Sequence, residues 1–138
     1  MTKITSVFIL LFIALVNMPL IAAEVLTVDR AINKNIELSF SNDKHRQAKK
    51  SDFNLVNYVL MSSETGQRWA VVTLTNSSSG NRIFESEHLL ALFADGSRIT
   101  PQAHKVNFAG HETQSITLSF GEHKFPILTI YGNNPQQE

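Results

Sequence analysis

The chain has no cysteine in its 138 residues. That absence removes disulfide staples, thiol nucleophiles, thiolate metal sites and a lipid-modified cysteine anchor together, so the fold must be held by its core. Charge of one sign is also missing: 12 Lys and Arg face 12 Asp and Glu. A balanced chain has no electrostatic footprint for nucleic acid or for a strongly charged substrate. There is no phosphate-cradling glycine loop and no dinucleotide turn. No internal repeat is visible, and past the first two dozen residues there is no long apolar run and no convincing amphipathic helix.

What the chain does have begins with "MTKITSVFILLFIALVNMPLIAAEVL": one early charge at Lys3, an apolar stretch over residues 7–18, and Ala22-Ala23 ahead of Glu24. This is the layout of a secretory signal peptide, expected to be cleaved after Ala23. A membrane span needs about 20 apolar residues and a basic flank. This run is shorter, is interrupted by Asn17 and Pro19, and lacks that flank. The expected product is a soluble domain over residues 24–132 with a disordered tail over 133–138, exported to the periplasm or secreted, with no membrane span left after cleavage.

The rest reads as short strands. Residues 25–28 lead, and 36–40 follow with Ile36, Leu38 and Phe40 on one face and Glu37 and Ser39 on the other, the period of a half-buried strand. "NDKHRQAKKSD", residues 42–52, has no large apolar residue and reads as an exposed loop carrying Lys44, Arg46, Lys49 and Lys50. In the next segment, 53–61, Val56, Tyr58 and Leu60 alternate against Phe53, Leu55 and Val59. In 69–75, Ala70, Val72 and Leu74 fall on one side and Val71, Thr73 and Thr75 on the other. "NSSSGN", residues 76–81, reads as a compact exposed loop. Asp95-Gly96 between apolar runs predicts a hairpin over 88–99. Gly110 ends one segment, Ile116, Leu118 and Phe120 alternate in the next, and 126–131 closes the chain's ordered part. Seven or eight short strands at regular spacing predict an all-β fold, an antiparallel β-sandwich.

The order of "VVTLTNSSSG" (71–80), "LLALFADGSRI" (89–99), "FAGHETQSITLSF" (108–120) and "FPILTIYG" (125–132) resembles the telokin-like, immunoglobulin-like families of small exported bacterial proteins, over roughly residues 67–132. The resemblance implies an immunoglobulin-like sandwich and an adhesion, recognition or accessory role. The chain departs from antibody-type domains in lacking both cysteines and in the position of Trp69.

Chemistry is sparse. His45, His88, His104, His111 and His123 invite a metal reading, but no histidine pair has the i, i+2 spacing that puts two ligands on one strand face. Glu85 and Glu87 do, with His88 adjacent, which makes a metal-binding periplasmic protein the alternative reading. Met61 would be the single methionine left after cleavage, too few for a soft copper site. Ser77, Ser78 and Ser79 lack a nucleophile elbow, and Ser97 follows Gly96 without a second glycine. Asn76-Ser77-Ser78 matches a glycosylation acceptor in form. Trp69, Tyr58 and Tyr131 are the aromatics suited to recognition. No catalytic residue, cofactor or metal ligand is assigned. The expectation is a non-catalytic binding or accessory module for another envelope or extracellular protein, with loops 42–52 and 76–81 as the contact candidates.

Overall fold

The computed structural model describes residues 23–30, 40 and 46–135. The expected signal segment up to residue 22, residues 36–39 of the second expected strand, Lys44 and His45, and the last three residues lie outside the described residues.

Alternation becomes antiparallel sheet throughout. Nine strands stand among the described residues, rather than seven or eight: β1 Leu26–Val28, β2 Phe53–Ser63, β3 Gln67–Asn76, β4 Arg82–Glu85, β5 Leu89–Phe93, β6 Arg98–Ile99, β7 Lys105–Phe108, β8 Thr113–Glu122 and β9 Ile127–Gly132. Strand β4 is the one that alternation did not announce. Its four residues are too few for a period to show, and they form a strand because they pair with β7, Phe84 opposite Val106 and Glu85 opposite Lys105. A 3-10 turn, Ser86–His88, joins β4 to β5.

The strands form a four-stranded sheet in the order β1-β2-β3-β8, a three-stranded sheet β6-β5-β9 and the two-stranded pair β4-β7. All three feed one hydrophobic cluster. Ala70, Val72 and Leu74 of β3 and Leu118 and Phe120 of β8 meet Leu89, Ala91 and Phe93 of β5, Ile127 and Ile130 of β9, and Phe84 and Phe108 of the pair. Phe53 packs edge-on against Phe84 and Phe108 at ring-centroid separations of 5.6 and 5.1 Å, a geometry that satisfies the ring quadrupoles beyond simple burial.

The expected faces of β3 and β8 hold: Ala70, Val72 and Leu74 are buried, and Ile116, Leu118 and Phe120 point to the same core. Strand β2 differs. The pairing with β3 slips by one residue between Leu55 and Asn57. Because side chains alternate, one inserted residue switches the faces. Phe53 and Leu55 therefore face the core before the bulge, Tyr58 and Leu60 face it after, and Val56 is left 58 % exposed.

The hairpin at Asp95-Gly96 forms as expected. Gly96 takes φ 83°, open to glycine at no steric cost, and the Asp95 carboxylate accepts from the backbone N–H and the hydroxyl of Ser97. Those two hydrogen bonds, the hydroxyl first, hold the Asp95 carboxyl below its ordinary value.

Two segments read as exposed are tied down. Ala48 is 5 % exposed, and its carbonyl accepts from Asn133 Nδ2 while Ser51 N–H donates to the Asn133 carbonyl. Lys50 and Asn133 form a parallel bridge. Asn133 and Asn134, expected to open the disordered tail, are thus held at the end of β9, with Asn134 buried and hydrogen-bonded to Asn54.

Candidate functional site

The acidic cluster that suggested a metal site sits where β4 turns into the 3-10 helix. Glu85 is gripped from two sides: Lys49 Nζ lies 3.0 Å from Oε2 and Lys105 Nζ 3.0 Å from Oε1, and Lys49 also reaches Glu87 at 3.8 Å. The hydrogen bond from Lys105, then that from Lys49, holds the Glu85 carboxyl down at about 2. The reciprocal bond raises Lys49 above its ordinary value. A carboxylate so held has no proton to give near neutral pH, so Glu85 is a poor general acid and, at that basicity, a poor base. It latches the segment before β2, the end of β4 and the start of β7 together.

His88 faces inward from the same turn. Its ring lies 5.6 Å from Phe53 and 5.9 Å from Phe84, and its Nδ1 accepts from the Glu85 backbone N–H at 3.0 Å. An accepting Nδ1 places the proton of the neutral ring on Nε2. Burial, with the Lys49 charge second, pushes His88 below its ordinary value. His104 and His111 are exposed, His111 at φ 60°. Among the described residues no three His, Cys, Asp or Glu side chains are grouped to hold a metal ion. The cluster around Glu85 is flanked by two open clefts of about 470 and 590 Å³, the first lined by Lys49, Lys50, Arg82 and His88, the second by Glu87, Thr100, His104 and Lys105.

These shifts fix the acid profile of stability. Both groups have folded values below their unfolded ones, so each contributes above its unfolded value and the contribution fades as pH falls toward its folded value. For His88 the loss starts as pH drops through 6.5. For Glu85 it runs from 4.5 down to about 2. Melting temperature followed from pH 7.5 to 3 should fall in two stages, and a His88→Gln variant should lack the first while keeping the second. A single stage confined below pH 4.5 in the unmodified protein would contradict the buried neutral imidazole.

One constellation went unseen in the sequence because its histidine lies 26 residues beyond its serine. Ser97 Oγ stands 2.7 Å from Asp95 Oδ1 and 3.4 Å from His123 Nε2, and that nitrogen is 3.7 Å from Asp95 Oδ2. The residue types are those of a hydrolase triad, but the geometry is not. A relay needs the serine and the carboxylate on opposite ring nitrogens. Here Nε2 faces both, while Nδ1 is 3.1 Å from the Phe125 N–H that it accepts. The serine proton goes to Asp95, and the trio locks the β5–β6 turn to the β8–β9 turn.

The loop 76–81 is less free than its composition suggests. Asn76 is fully buried. Its Nδ2 donates to the carbonyls of Gly80 at 2.8 Å and Ala109 at 2.9 Å, and its Oδ1 accepts from Ser78 N–H at 3.0 Å. Ser77 Oγ donates to the Asp52 carbonyl, and Arg82 pairs with the Asp52 carboxylate at 2.6 Å. Ser79, Gly80 and Asn81 are the exposed tip.

Of the recognition aromatics, Trp69 is half-buried on the solvent side of the four-stranded sheet and Tyr131 is half-buried in β9. Tyr58 is half-buried with its hydroxyl 3.0 Å from Thr129 Oγ1, and it lines a groove of about 440 Å³. Val28, Asp29, Arg30, residues 55–60 and Leu128 form the rest of the wall. The groove exists because β1 leaves β2 early. The Asp29 N–H bond to the Leu60 carbonyl follows the Val28–Met61 pair, and beyond it no described strand pairs with β2 on that side. Val28, Val56 and Val59 stay 68, 58 and 46 % exposed there. Among the described residues no helix is long and apolar enough to cross a membrane. No protein-family model, curated protein or solved structure matches the chain.

Proposed function

We propose that the chain is a small exported, immunoglobulin-like β-sandwich of the telokin-like kind that acts without catalysis, in the periplasm or outside the cell, as a binding module for another protein. The observation that carries this reading is the groove beside Tyr58: three exposed valines around a concave, largely apolar wall at a strand edge left open among the described residues. An open edge offers a row of backbone donors and acceptors, and an extended peptide laid along it gains main-chain hydrogen bonds while the groove selects its side chains. The expected ligand is therefore an extended, apolar segment of the partner, not its folded surface. The ionised, doubly paired Glu85 and the Ser97 trio without relay geometry support the non-catalytic half of the reading.

A photo-crosslinking side chain placed at Val59 in the living cell tests it, with the same group at exposed His111 as the comparison. An intermolecular adduct at 59, missing at 111 and lost when Val56 is changed to Lys, is the expected result. No adduct, equal adducts at both positions, or an adduct confined to the chain itself would overturn the reading.

A further inference from the structure

The first of the two clefts beside Glu85, about 470 Å³, holds a donor that the ion-pair latch does not use. His88 lines this cleft while only 8 % exposed. Its Nδ1 is taken by the Glu85 N–H, so the proton of the neutral ring sits on Nε2. Among the described residues no protein atom accepts that proton, and no buried side-chain nitrogen or oxygen lacks a partner. The Nε2–H therefore reaches solvent, and the cleft is the opening that His88 lines. One nitrogen suffices to hold the turn; the other carries a donor out of the core.

The charges around that donor do not balance. Lys49, Lys50 and Arg82 line the cleft with Asp52 and Glu85. Glu85 holds Lys49 and Asp52 holds Arg82. Lys50 is exposed, and among the described residues no carboxylate pairs with it. Three cations against two carboxylates leave one positive charge unmatched. Adding Glu87 and Lys105, which touch the same ion pairs, keeps that excess at one. Apart from Ser51 the rest of the wall is apolar: Phe53, Pro135 and Ile83, the last left 58 % exposed.

We infer that this cleft binds a single carboxylate carried on an apolar body, with the His88 Nε2–H and the Lys50 ammonium on the carboxylate and Ile83 against the body. Charge decides the class. One unmatched cation suits one carboxylate, whereas a phosphate dianion would keep a charge uncompensated beside Asp52 and Glu85. A bare ion would leave Ile83 in water, and covering that side chain is favourable. Burial pushes His88 below its ordinary value, so at pH 7.5 the ring is neutral and binds by donating, without adding a second charge. A free apolar acid and the last residue of a peptide present this chemistry alike. The cleft is open and touches its ligand from one side, so a dissociation constant on the order of 1 mM is expected.

The ring nitrogen resonances of His88 in the purified protein at pH 7.5 read this directly. Phenylacetate, titrated from about 0.1 to about 20 mM, should shift Nε2 with saturation, while phenylacetamide, acetate and inorganic phosphate should each bind about tenfold more weakly. Lys50→Glu reverses the unmatched charge at an exposed position and should weaken phenylacetate about tenfold, whereas Lys50→Arg should keep it, with melting temperature showing that both variants fold. A tripeptide ending in phenylalanine separates the two sources: binding tighter than phenylacetate assigns the site to a chain end, and equal or weaker binding assigns it to a free acid. No saturable shift, equal responses to the acid and its amide, a preference for phosphate, or a Lys50→Glu variant that binds like the unmodified protein would overturn the inference. The groove beside Tyr58 has no part in this readout, so the two readings fail separately.

Discussion

Gly110→Ala should lower the stability of the protein by about 3 kcal/mol, while Gly80→Ala, thirty residues earlier and against the same turn, should leave it within about 0.5 kcal/mol. The contrast comes from what a Cβ would meet. At Gly110 it would stand well under 3.0 Å from the carbonyl carbon and oxygen of Ser79 and 3.2 Å from the Gly80 nitrogen, all of them backbone atoms. Backbone cannot swing aside as a side chain can, so the loop 76–81 and the turn 109–112 would have to separate. Separation strains the His111 N–H bond to the Ser78 carbonyl, 3.0 Å, and the Asn76 N–H bond to the Glu112 carbonyl, 2.9 Å. At Gly80 the nearest atoms are Arg82 Nη1 at 3.5 Å and Ser78 Oγ at 3.9 Å, both on side chains able to move. Thermal melts should show a drop of roughly 10–15 °C for the first variant and almost none for the second. Equal melting temperatures would mean that the loop does not rest on the turn.

That contact marks the boundary of what the sequence alone discloses. Where a segment has one buried face and enough length to show a period, as in 69–75 and 113–120, alternation names both the strand and its core residues. The bulge at Val56 breaks this because nothing local signals it: no glycine or proline marks the spot, and the slip exists only in the pairing with β3. Strand β4 is invisible for the same reason, its extended form being imposed by β7. The loop 76–81 misleads in another way. Asn and Ser suit an exposed turn by composition, but Asn76 is buried because its amide satisfies carbonyls from two segments, one of them 33 residues away. At Glu85 the i, i+2 carboxylate spacing was legible, yet its lysines come from 36 residues before and 20 after, so a spacing that suggested a cation site became an ion-pair latch. The groove beside Tyr58 was legible only as an aromatic of uncertain use, because it depends on where β1 parts from β2.

Asn76 carries the other large effect. Asn76→Ala removes two donors and one acceptor from a site with no solvent exposure; the Gly80 and Ala109 carbonyls keep one donor each, the Ser78 hydroxyl and the Glu112 N–H, while the Ser78 N–H loses its acceptor. A buried backbone group that loses its partner costs about 1–3 kcal/mol and each further hydrogen bond lost about 1 kcal/mol, and partial relaxation toward water at the exposed tip offsets some of that, so a loss of about 2–3 kcal/mol is expected. Asn76→Asp separates the hydrogen-bonding role from simple filling of space. It keeps the shape and the acceptor to Ser78, but it turns the donor side into a carboxylate oxygen facing two carbonyl oxygens. Ionised, it should cost at least as much as the alanine. Protonated, it regains one donor, so its folded-state value must lie above the ordinary 3.9 or so of an aspartic acid. A raised acid in the folded state favours folding at low pH and opposes it as pH rises. The Asn76→Asp variant should therefore gain on the unmodified protein as pH falls from 7 toward 4, in the range where His88 and Glu85 make the unmodified protein lose stability. Because Asn76 and Gly110 secure one contact between the loop and the turn, the Asn76→Ala and Gly110→Ala losses should fall short of adding in the double variant. Full additivity, or an Asn76→Asp variant whose deficit does not narrow in acid, would mean that the amide does not hold the two segments together.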